Sequence, residues 1–192
     1  MAAFFHTFAR AYGPGQWMLL FYLCSFAGWL WEVSLYLVRE RRVVNRGFLN
    51  GPLLPIYGFG ALLVLFVGLP IADKPLLVAL AGSLAATALE YVTGEAMLTL
   101  LHVRYWDYSK NRWNLRGHIC LLSAATWAVM AWLMTCVVHP LVHPLLSRVP
   151  EPAAFASSAL LPVFAMADTR ERDRSMRSLP FISRVQRLHP QP

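Results

Sequence analysis

Charged residues are scarce in this chain. Only 14% of its 192 residues are Asp, Glu, Lys or Arg, whereas 57% are hydrophobic; a soluble domain usually has about a quarter of its residues charged. So few charges cannot cover a water-soluble globule of this size, and so many apolar residues exclude an intrinsically disordered chain. The net charge of +7 does not indicate nucleic-acid binding, because the charges lie between apolar runs. We therefore expect a membrane protein with no nucleic-acid partner.

The sequence also lacks the motifs that hold metals or nucleotides. Its three cysteines (Cys24, Cys120 and Cys136) lie within apolar runs, which suits small packing residues rather than a disulfide framework. There is no CxxC or HExxH pair, so we expect no metal and no other cofactor. His139 and His143 are four residues apart, but a proline follows each, and we expect these prolines to disrupt the helical face that would bring the two together. Neither lysine follows a glycine as in a P-loop, which argues against ATP hydrolysis and leaves other enzymatic activity open.

Long apolar runs are what the sequence has instead. Four of them can cross a hydrocarbon core of roughly 30 Å at about 1.5 Å per helical residue. A fifth is shorter, contains Pro162 and is ambiguous by length alone. We predict an all-α fold, a polytopic transmembrane helical bundle in residues 1–168. The predicted spans are 17–38, 52–70, 75–101, 119–138 and 150–168.

The distribution of lysine and arginine selects five spans rather than four. With five, the first and third interhelical loops and the C-terminal tail share one side of the membrane, with fourteen basic residues against three on the other side. With four, the two sides would have eight and nine, which is no bias. Because basic residues accumulate in cytosolic loops, we predict a multi-pass protein of the bacterial plasma membrane, with its N-terminus outside and its C-terminus in the cytosol. The basic tail, residues 169–192, is expected to be mobile and to lie on anionic headgroups.

Three carboxylates, Glu32, Glu90 and Glu95, lie within the predicted spans. A charge at bilayer depth costs at least about 2.5 to 3.5 kcal/mol, so each needs a partner, a proton or water. Arg46 and Arg116, at the inner ends of the second and fourth spans, are expected to reach Glu32 and Glu95, while Glu90 lies about 7.5 Å deeper. We predict a polar cavity open to the cytosol that binds a substrate or passes protons. The alternative is that these groups only hold the helices together.

Small and polar residues predict which face of the third span is buried. Without a hydrophobic drive between helices in lipid, small residues and polar groups supply the helix contacts. We expect this face to turn into the bundle, which adds Tyr91 to the candidates for a substrate or proton pathway. Two adjoining stripes form the face: Gly82, Ala86, Glu90 and Gly94, and Ser83, Thr87, Tyr91 and Glu95.

Two short motifs lie near the predicted cytosolic side. In NRGFLNGPLLPIY, residues 45–57, Gly47 and Gly51 permit unusual dihedral angles, and free amides at the helix start beside Arg46 would suit an anion; a tight turn without a ligand is the alternative. RYWDYS, residues 104–109, is either an interfacial anchor or a site. His118 is a further candidate for an anion or ion-pair contact. The other candidates in these motifs are Asn45, Asn50, Tyr57, Trp106, Asp107 and Tyr108.

Several motifs together resemble a known family. They are GWLWE at 28–32, NRGFLNGPLLPIYGFGA at 45–61, LEYVTG at 89–94, RYWDYS at 104–109 and NLRGHICL at 114–121. In this order they resemble the putative ABC-transporter type IV permease family of small bacterial multi-span membrane proteins. An arginine is usual in that family where His118 stands, and a polar residue where Arg116 stands, so this chain differs at both positions. The resemblance implies a membrane component of a transporter that a separate ATPase drives.

We therefore predict a permease-like membrane subunit that pairs with a cytosolic ATPase through its third loop, residues 102–116. Its other partners are the lipid bilayer and, if it forms a homo-oligomer, a second copy of the chain. Two alternatives stay open. One is a membrane-embedded enzyme acting on a lipid or isoprenoid phosphate, in which Arg46 or Arg116 would hold the phosphate and a glutamate would act as general base. The other is a non-catalytic assembly subunit.

Overall fold

The computed structural model describes residues 2–41, 52–102 and 104–158. These residues form helices and loops; no strand occurs among them, apart from an isolated bridge between Leu115 and Ile119. The predicted all-α class is confirmed. The helices are α1 (Ala2–Ala11), α2 (Pro14–Glu40), α3 (Pro55–Gly68, continued by a 3-10 turn at Leu69–Ile71), α4 (Pro75–Leu101), α5 (Leu121–Leu133), a π-helical turn (Met134–Val138), α6 (His139–Leu146) and α7, described over residues 151–158.

Three helical stretches in the described ranges are long and apolar enough to cross a membrane: Pro14–Leu35, Pro75–Leu100 and Leu121–Leu146. The helix at Pro55–Ile71 is apolar but shorter, at about 25 Å for about 1.5 Å per residue. The rest of the predicted fifth span, 159–168, and the basic tail, 169–192, lie outside the described residues. Five spans and the orientation of the termini therefore stay predictions.

Neighbouring helices run in opposite directions between two ends of the bundle. At one end, which we call the Gly13 end, the Gln16 side chain donates to the carbonyl of Val149 at 2.9 Å, and the amide of Gly15 donates to the Glu151 carboxylate. Helix α1 packs there against the 3-10 turn that follows α3. The other end, which we call the loop end, contains residues 102–120, between α4 and α5. Helices α2 and α4 each begin at one end and finish at the other, and so does the continuous helical stretch from α5 through α6.

Helix α1 is an element that the sequence analysis did not assign. It lies against the Gly13 end, where the Phe8 ring stacks on Trp17 with centroids 3.9 Å apart and meets Phe66 edge to face at 5.4 Å. Tyr12, which follows the helix, is buried in a core cluster with Leu20 and its neighbours. The helix is too short to be stable alone, so these aromatic contacts hold it in place.

The predicted inward face of α4 does pack against α5. A Cβ at Gly82 would overlap the Cβ of Ala131, Ala86 is fully buried, and the Ser83 hydroxyl donates to the Ala124 carbonyl at 2.7 Å. Such close approach of two backbones replaces the hydrophobic drive that lipid does not provide. The opposite side of α4 is exposed, with Leu76, Leu80 and Leu84 at least 60% accessible.

Helix α3 begins inside the bundle rather than at its loop end. The backbone amide of Leu54, a residue only 6% exposed, donates to the carbonyl of Ser25 in the middle of α2 at 3.0 Å. A Cβ at Gly28 would overlap the Tyr57 ring, and one at Gly58 would overlap the Ser25 hydroxyl. Irregular backbone at such depth is tolerated only where protein buries it. The predicted span of 52–70 is thus partly non-helical, because Pro55 sets the start of the helix.

The fourth span is longer than predicted, and the expectation about its histidines was wrong. It continues through the π-helical turn into α6, where the rings of His139 and His143 lie 5.3 Å apart and share a face. At the π-helical turn, the amide of His139 bonds to the carbonyl of Met134, five residues back. Pro140 falls in the first turn of α6 and Pro144 lies within it. The helix continues past them because each proline removes only one hydrogen bond and keeps a helical φ.

Candidate functional site

Glu90 is the most deeply buried carboxylate in the described part of the chain, with only 6% of its surface exposed. It lies on α4 and accepts two hydrogen bonds from other elements. The Tyr108 hydroxyl, in the third loop, donates to Oε1 at 3.1 Å, and the Trp127 indole N–H, on α5, donates to Oε2 at 3.0 Å. Each oxygen of the carboxylate therefore has its own donor, and both donors are neutral.

Glu32 has a comparable arrangement on α2. The Tyr57 hydroxyl, from the first turn of α3, donates to Glu32 Oε1 at 2.7 Å. Gly28 is one turn earlier on the same face of α2, and its missing side chain leaves the space that the Tyr57 ring occupies. The same ring lies beside Trp127, with centroids 6.2 Å apart. Tyr57 and Trp127 therefore connect the surroundings of Glu32 with those of Glu90.

Glu95 differs because its partners are basic. Arg116 Nη1 lies 3.3 Å from Glu95 Oε1, the contact that the sequence predicted, and His118 Nε2 lies 3.2 Å from Oε2. Two-thirds of the Arg116 side chain is exposed, so this pair contributes about 0 to 1 kcal/mol. His118 is buried at 2% exposure, with Tyr91 edge-on to its ring at 5.7 Å. A Cβ at Gly94 would lie 2.8 Å from His118 Nδ1, so only glycine leaves room for the imidazole.

The third loop folds back on itself and holds Tyr108 in place. The backbone amide of Tyr108 donates to the carbonyl of Gly117 at 2.8 Å, and the Trp106 indole donates to the carbonyl of His118 at 2.8 Å. Gly117 has a φ of +74°, which glycine adopts without strain. The side chain of Asn114 closes the tip by donating to the carbonyls of two loop residues. The motif at 104–109 is therefore clamped onto residues 116–118.

Asp107 and Tyr108, next to each other in the loop, have opposite electrostatic surroundings. The backbone N–H of Ser109 donates to Asp107 at 2.9 Å and, with Arg104 at 3.1 Å, holds the pKa of this carboxyl below its usual value. Burial, and next the charge of Glu90, raise the pKa of the Tyr108 phenol. Tyr108 thus keeps its proton and stays neutral at physiological pH.

The candidates from the sequence do not form one cluster. Glu90 with Tyr108 and Glu32 with Tyr57 are two connected centres, while Glu95, Arg116, His118 and Tyr91 form a third toward the loop end. Trp127 was not among the predicted site residues; the signal was an indole N–H within an apolar span, which needs a buried acceptor. Asn45, Arg46, Gly47, Asn50 and Gly51 lie outside the described residues.

No group of three or more His, Cys, Asp or Glu side chains that could hold a metal ion occurs within residues 2–41, 52–102 and 104–158. His139 and His143 form only a pair, and His143 Nε2 lies 3.2 Å from the Ala11 carbonyl. Chemically, the arrangement consists of carboxylates within the apolar helices that accept hydrogen bonds from hydroxyl and indole groups.

Long apolar helices that enclose such acids define a multi-pass membrane protein. A family model described as "Putative ABC-transporter type IV" matches residues 19–171, which is most of the chain. The chain therefore belongs to this family, as its motifs predicted. No curated protein and no solved structure matches it.

Proposed function

We propose that the chain is a permease-like membrane subunit of a transporter, that it works with a separate ATPase, and that Glu90 is the centre of its polar site. The proposal rests on one observation: a carboxylate that is 6% exposed within an apolar bundle has donors from both α5 and the third loop. Membership of an ABC-transporter family supports the transport role. The site would be reached from the loop end, which is the cytosolic end in the predicted topology.

The energetics of Glu90 support a role beyond holding helices together. Placing a charge at bilayer depth costs about 2.5 to 3.5 kcal/mol or more. Two hydrogen bonds to a charged group contribute about 3 to 6 kcal/mol in total, which leaves a net gain of about zero to 3.5 kcal/mol after that cost. Two bonds to a neutral group contribute about 1 to 3 kcal/mol without the cost. A neutral polar residue would join α4, α5 and the loop at a similar stability. An acid that adds little stability is better explained by a function that needs its charge.

The arrangement of the two ends supports the five-span topology with the N-terminus outside. The Gly13 end contains the start of α2, the turn after α3 and residues 148–151, and its charges include only three basic residues: Arg10, Lys74 and Arg148. The loop end contains four within the third loop alone. Basic loops face the cytosol, so the loop end would face the ATPase.

The tip of the third loop is suited to partner binding. Trp113 is 78% exposed and Leu115 is 53% exposed, and Lys110 and Arg112 lie beside them. Buried aromatic and arginine side chains dominate the binding energy of protein interfaces. A rigid loop that presents an aromatic side chain among cations would dock against an apolar pocket with an acidic rim on the ATPase.

The ATPase pairing can be tested by purification of the full chain in mild detergent from the cells that produce it. We expect an ATP-hydrolysing subunit to copurify in fixed stoichiometry with the native chain. The loop variant Arg112→Ala/Trp113→Ala should lose it, whereas the matched control at the other end, Asp73→Ala/Lys74→Ala, should retain it. If the native chain yields no ATPase at all, or if both variants retain it equally, the proposed pairing or the docking loop is wrong.

A second candidate function is that of a non-catalytic assembly subunit. The observation in its favour is that both oxygens of Glu90 already have protein donors, so the site is complete without a ligand. In that case a neutral substitution at Glu90 would change stability and nothing else. The stability and activity of the Glu90→Gln variant separate the two functions. No described contact favours a lipid phosphate enzyme.

A further inference from the structure

The partners of Glu90 set it apart from Glu95. Glu95 has Arg116 and His118 within 3.3 Å, so its charge is balanced by basic groups. Glu90 accepts from a phenol and an indole and also has the Ser123 hydroxyl near it, and no basic side chain in the described residues lies within ion-pair distance of it. Burial without a cation favours the neutral, protonated form of an acid, so a proton is the positive charge that such a group binds most readily.

We propose that Glu90 is a proton-binding site, and that it exchanges its proton with the loop end through the hydroxyl of Tyr108. The inference deepens the proposed function, since it names the ion that the transporter's polar site binds. The two donors differ in chemistry, and they reach Glu90 from different elements, the third loop and α5.

The donors assign the proton to one oxygen. An indole N–H can only donate, so Trp127 requires Glu90 Oε2 to be an acceptor in both protonation states. A phenol hydroxyl can donate or accept, so the contact between Tyr108 and Oε1 persists whether Glu90 is charged or neutral. The protonated acid would donate from Oε1 to Tyr108 Oη at the same 3.1 Å. The site can therefore change its charge without moving a helix.

The proton transfer between water, Tyr108 and Glu90 conserves atoms and charge in this geometry. In the charged state Tyr108 donates its hydroxyl proton to Glu90 Oε1. As that proton crosses to Oε1, Tyr108 Oη takes a proton from a hydronium ion on the loop side, and its hydrogen bond to Glu90 reverses direction. The net change is one proton moved from water to Glu90. Tyr108 is unchanged, and the hydronium ion becomes water.

The close packing favours a proton over a larger cation. Both carboxylate oxygens already lie 3.0 to 3.1 Å from donors. Ala86, one turn earlier on α4, is fully buried, and a Cβ at Gly82 would overlap α5. A sodium ion or an organic amine would have to displace Trp127 or Tyr108, whereas a proton needs no additional space.

Only one of the two donors can relay a proton. Tyr108 is half-buried within a loop at the end of the bundle, so its far side can meet water. Trp127 donates to the other oxygen of Glu90, and the Tyr57 ring lies beside the indole. An indole does not pass a proton, because it has no lone pair with which to accept one. Proton exchange through these two donors is therefore limited to Tyr108.

The other titratable groups around Glu90 come from every neighbouring element. Cys120 faces Tyr108 from the loop, and Tyr57 and Glu32 interact with the pair from α3 and α2. Glu95 and His118 lie one to two turns away toward the loop end. Each could add a titration step, so the experiment needs a second acid on the same helix as a control.

The test is infrared spectroscopy of the full chain in lipid nanodiscs during a pH titration, with the C=O band of a protonated carboxylic acid as the signal. We expect Glu90→Gln to remove one titrating band and the control, Glu95→Gln, to leave it. Gln can accept from Trp127 and donate to Tyr108, so this variant should fold. If the band survives in Glu90→Gln, the proton site is refuted.

The Tyr108 route is tested by hydrogen–deuterium exchange of the same band. Tyr108→Phe should slow the exchange on the order of 100-fold, the usual contribution of a positioned proton-transfer group, while the control Tyr22→Phe, on α2 and outside the site, should not change it. An unchanged exchange rate in Tyr108→Phe refutes the route through Tyr108. A band that sodium or tetramethylammonium removes at constant pH refutes the proton as the ligand.

A chain that binds the ATPase but lacks the band refutes only the proton site. A chain with the band but no ATPase refutes only the transporter pairing.

Discussion

The substitution Glu90→Gln separates a functional acid from a structural one. In the protein, Glu90 Oε2 accepts from Trp127 and Oε1 accepts from Tyr108. Glutamine has nearly the same shape; its oxygen can accept from the indole, and its amide can donate to the phenol oxygen. The variant therefore keeps both contacts and changes only the charge.

The expected effect on stability follows from these contacts. Replacing a charged acceptor by a neutral one weakens each hydrogen bond by about 1 to 1.5 kcal/mol, or about 2 to 3 kcal/mol in total. Removing the buried charge returns about 2.5 to 3.5 kcal/mol. We expect the free energy of unfolding of Glu90→Gln to lie within about 1 kcal/mol of that of the native chain. Glu90→Ala instead leaves two buried donors unpaired and a cavity, which should cost about 2 to 5 kcal/mol.

Two measurements on the same samples decide the outcome. Reversible unfolding in mixed detergent micelles gives the stability, and ATP hydrolysis by the copurified complex in liposomes gives the activity. We expect Glu90→Gln to keep its stability and to lose activity at least about tenfold, which corresponds to about 1.4 kcal/mol. A stable and fully active Glu90→Gln would refute the functional site, and a Gln variant as unstable as Glu90→Ala would show that the charge itself holds the helices.

Two further predictions concern packing and topology. Gly28→Ala should displace the Tyr57 ring from Glu32 and lower the free energy of unfolding by about 1 to 3 kcal/mol. The control Gly60→Ala, whose Cβ would lie 3.6 Å from Trp127, should leave the free energy of unfolding nearly unchanged. Equal losses of stability in the two variants would contradict the role of Gly28. In a variant without native cysteines, Lys74→Cys should react with a membrane-impermeant maleimide in intact cells and Lys110→Cys only after permeabilisation, and the reverse pattern would overturn the proposed orientation.

Much of the fold could be predicted from the sequence because the bilayer imposes simple rules. Uninterrupted apolar residues have to be helical in lipid, since no other local structure satisfies the backbone there. The small-residue stripe on α4 correctly predicted the face that meets α5 at Ala131. The deviations occur where tertiary contacts replace lipid as the surroundings: α1 is held by aromatic packing at Phe8, and α3 begins beside Ser25 within the bundle.

The site was predictable only in part. A carboxylate in an apolar run is visible in any sequence, and a basic residue near the end of the following span indicates the ion pair of Glu95 with Arg116. The partners of Glu90 were not visible in this way. Tyr108 is 18 residues away in a loop and Trp127 is 37 residues away on α5, and their roles depend on how the loop folds back through Gly117.

By itself the sequence determined that this is an all-helical membrane protein, which family it belongs to, and that three acids lie at the depth of the spans. These properties follow from composition, run length and local motifs, for which neighbours along the chain are sufficient. Only the tertiary structure decided which acid has basic partners and which has neutral ones, because the donors come from distant segments. That difference distinguishes Glu95, which has basic partners, from Glu90, whose hydrogen-bond donors are neutral, and the pKa of a buried acid depends on the groups that fold around it.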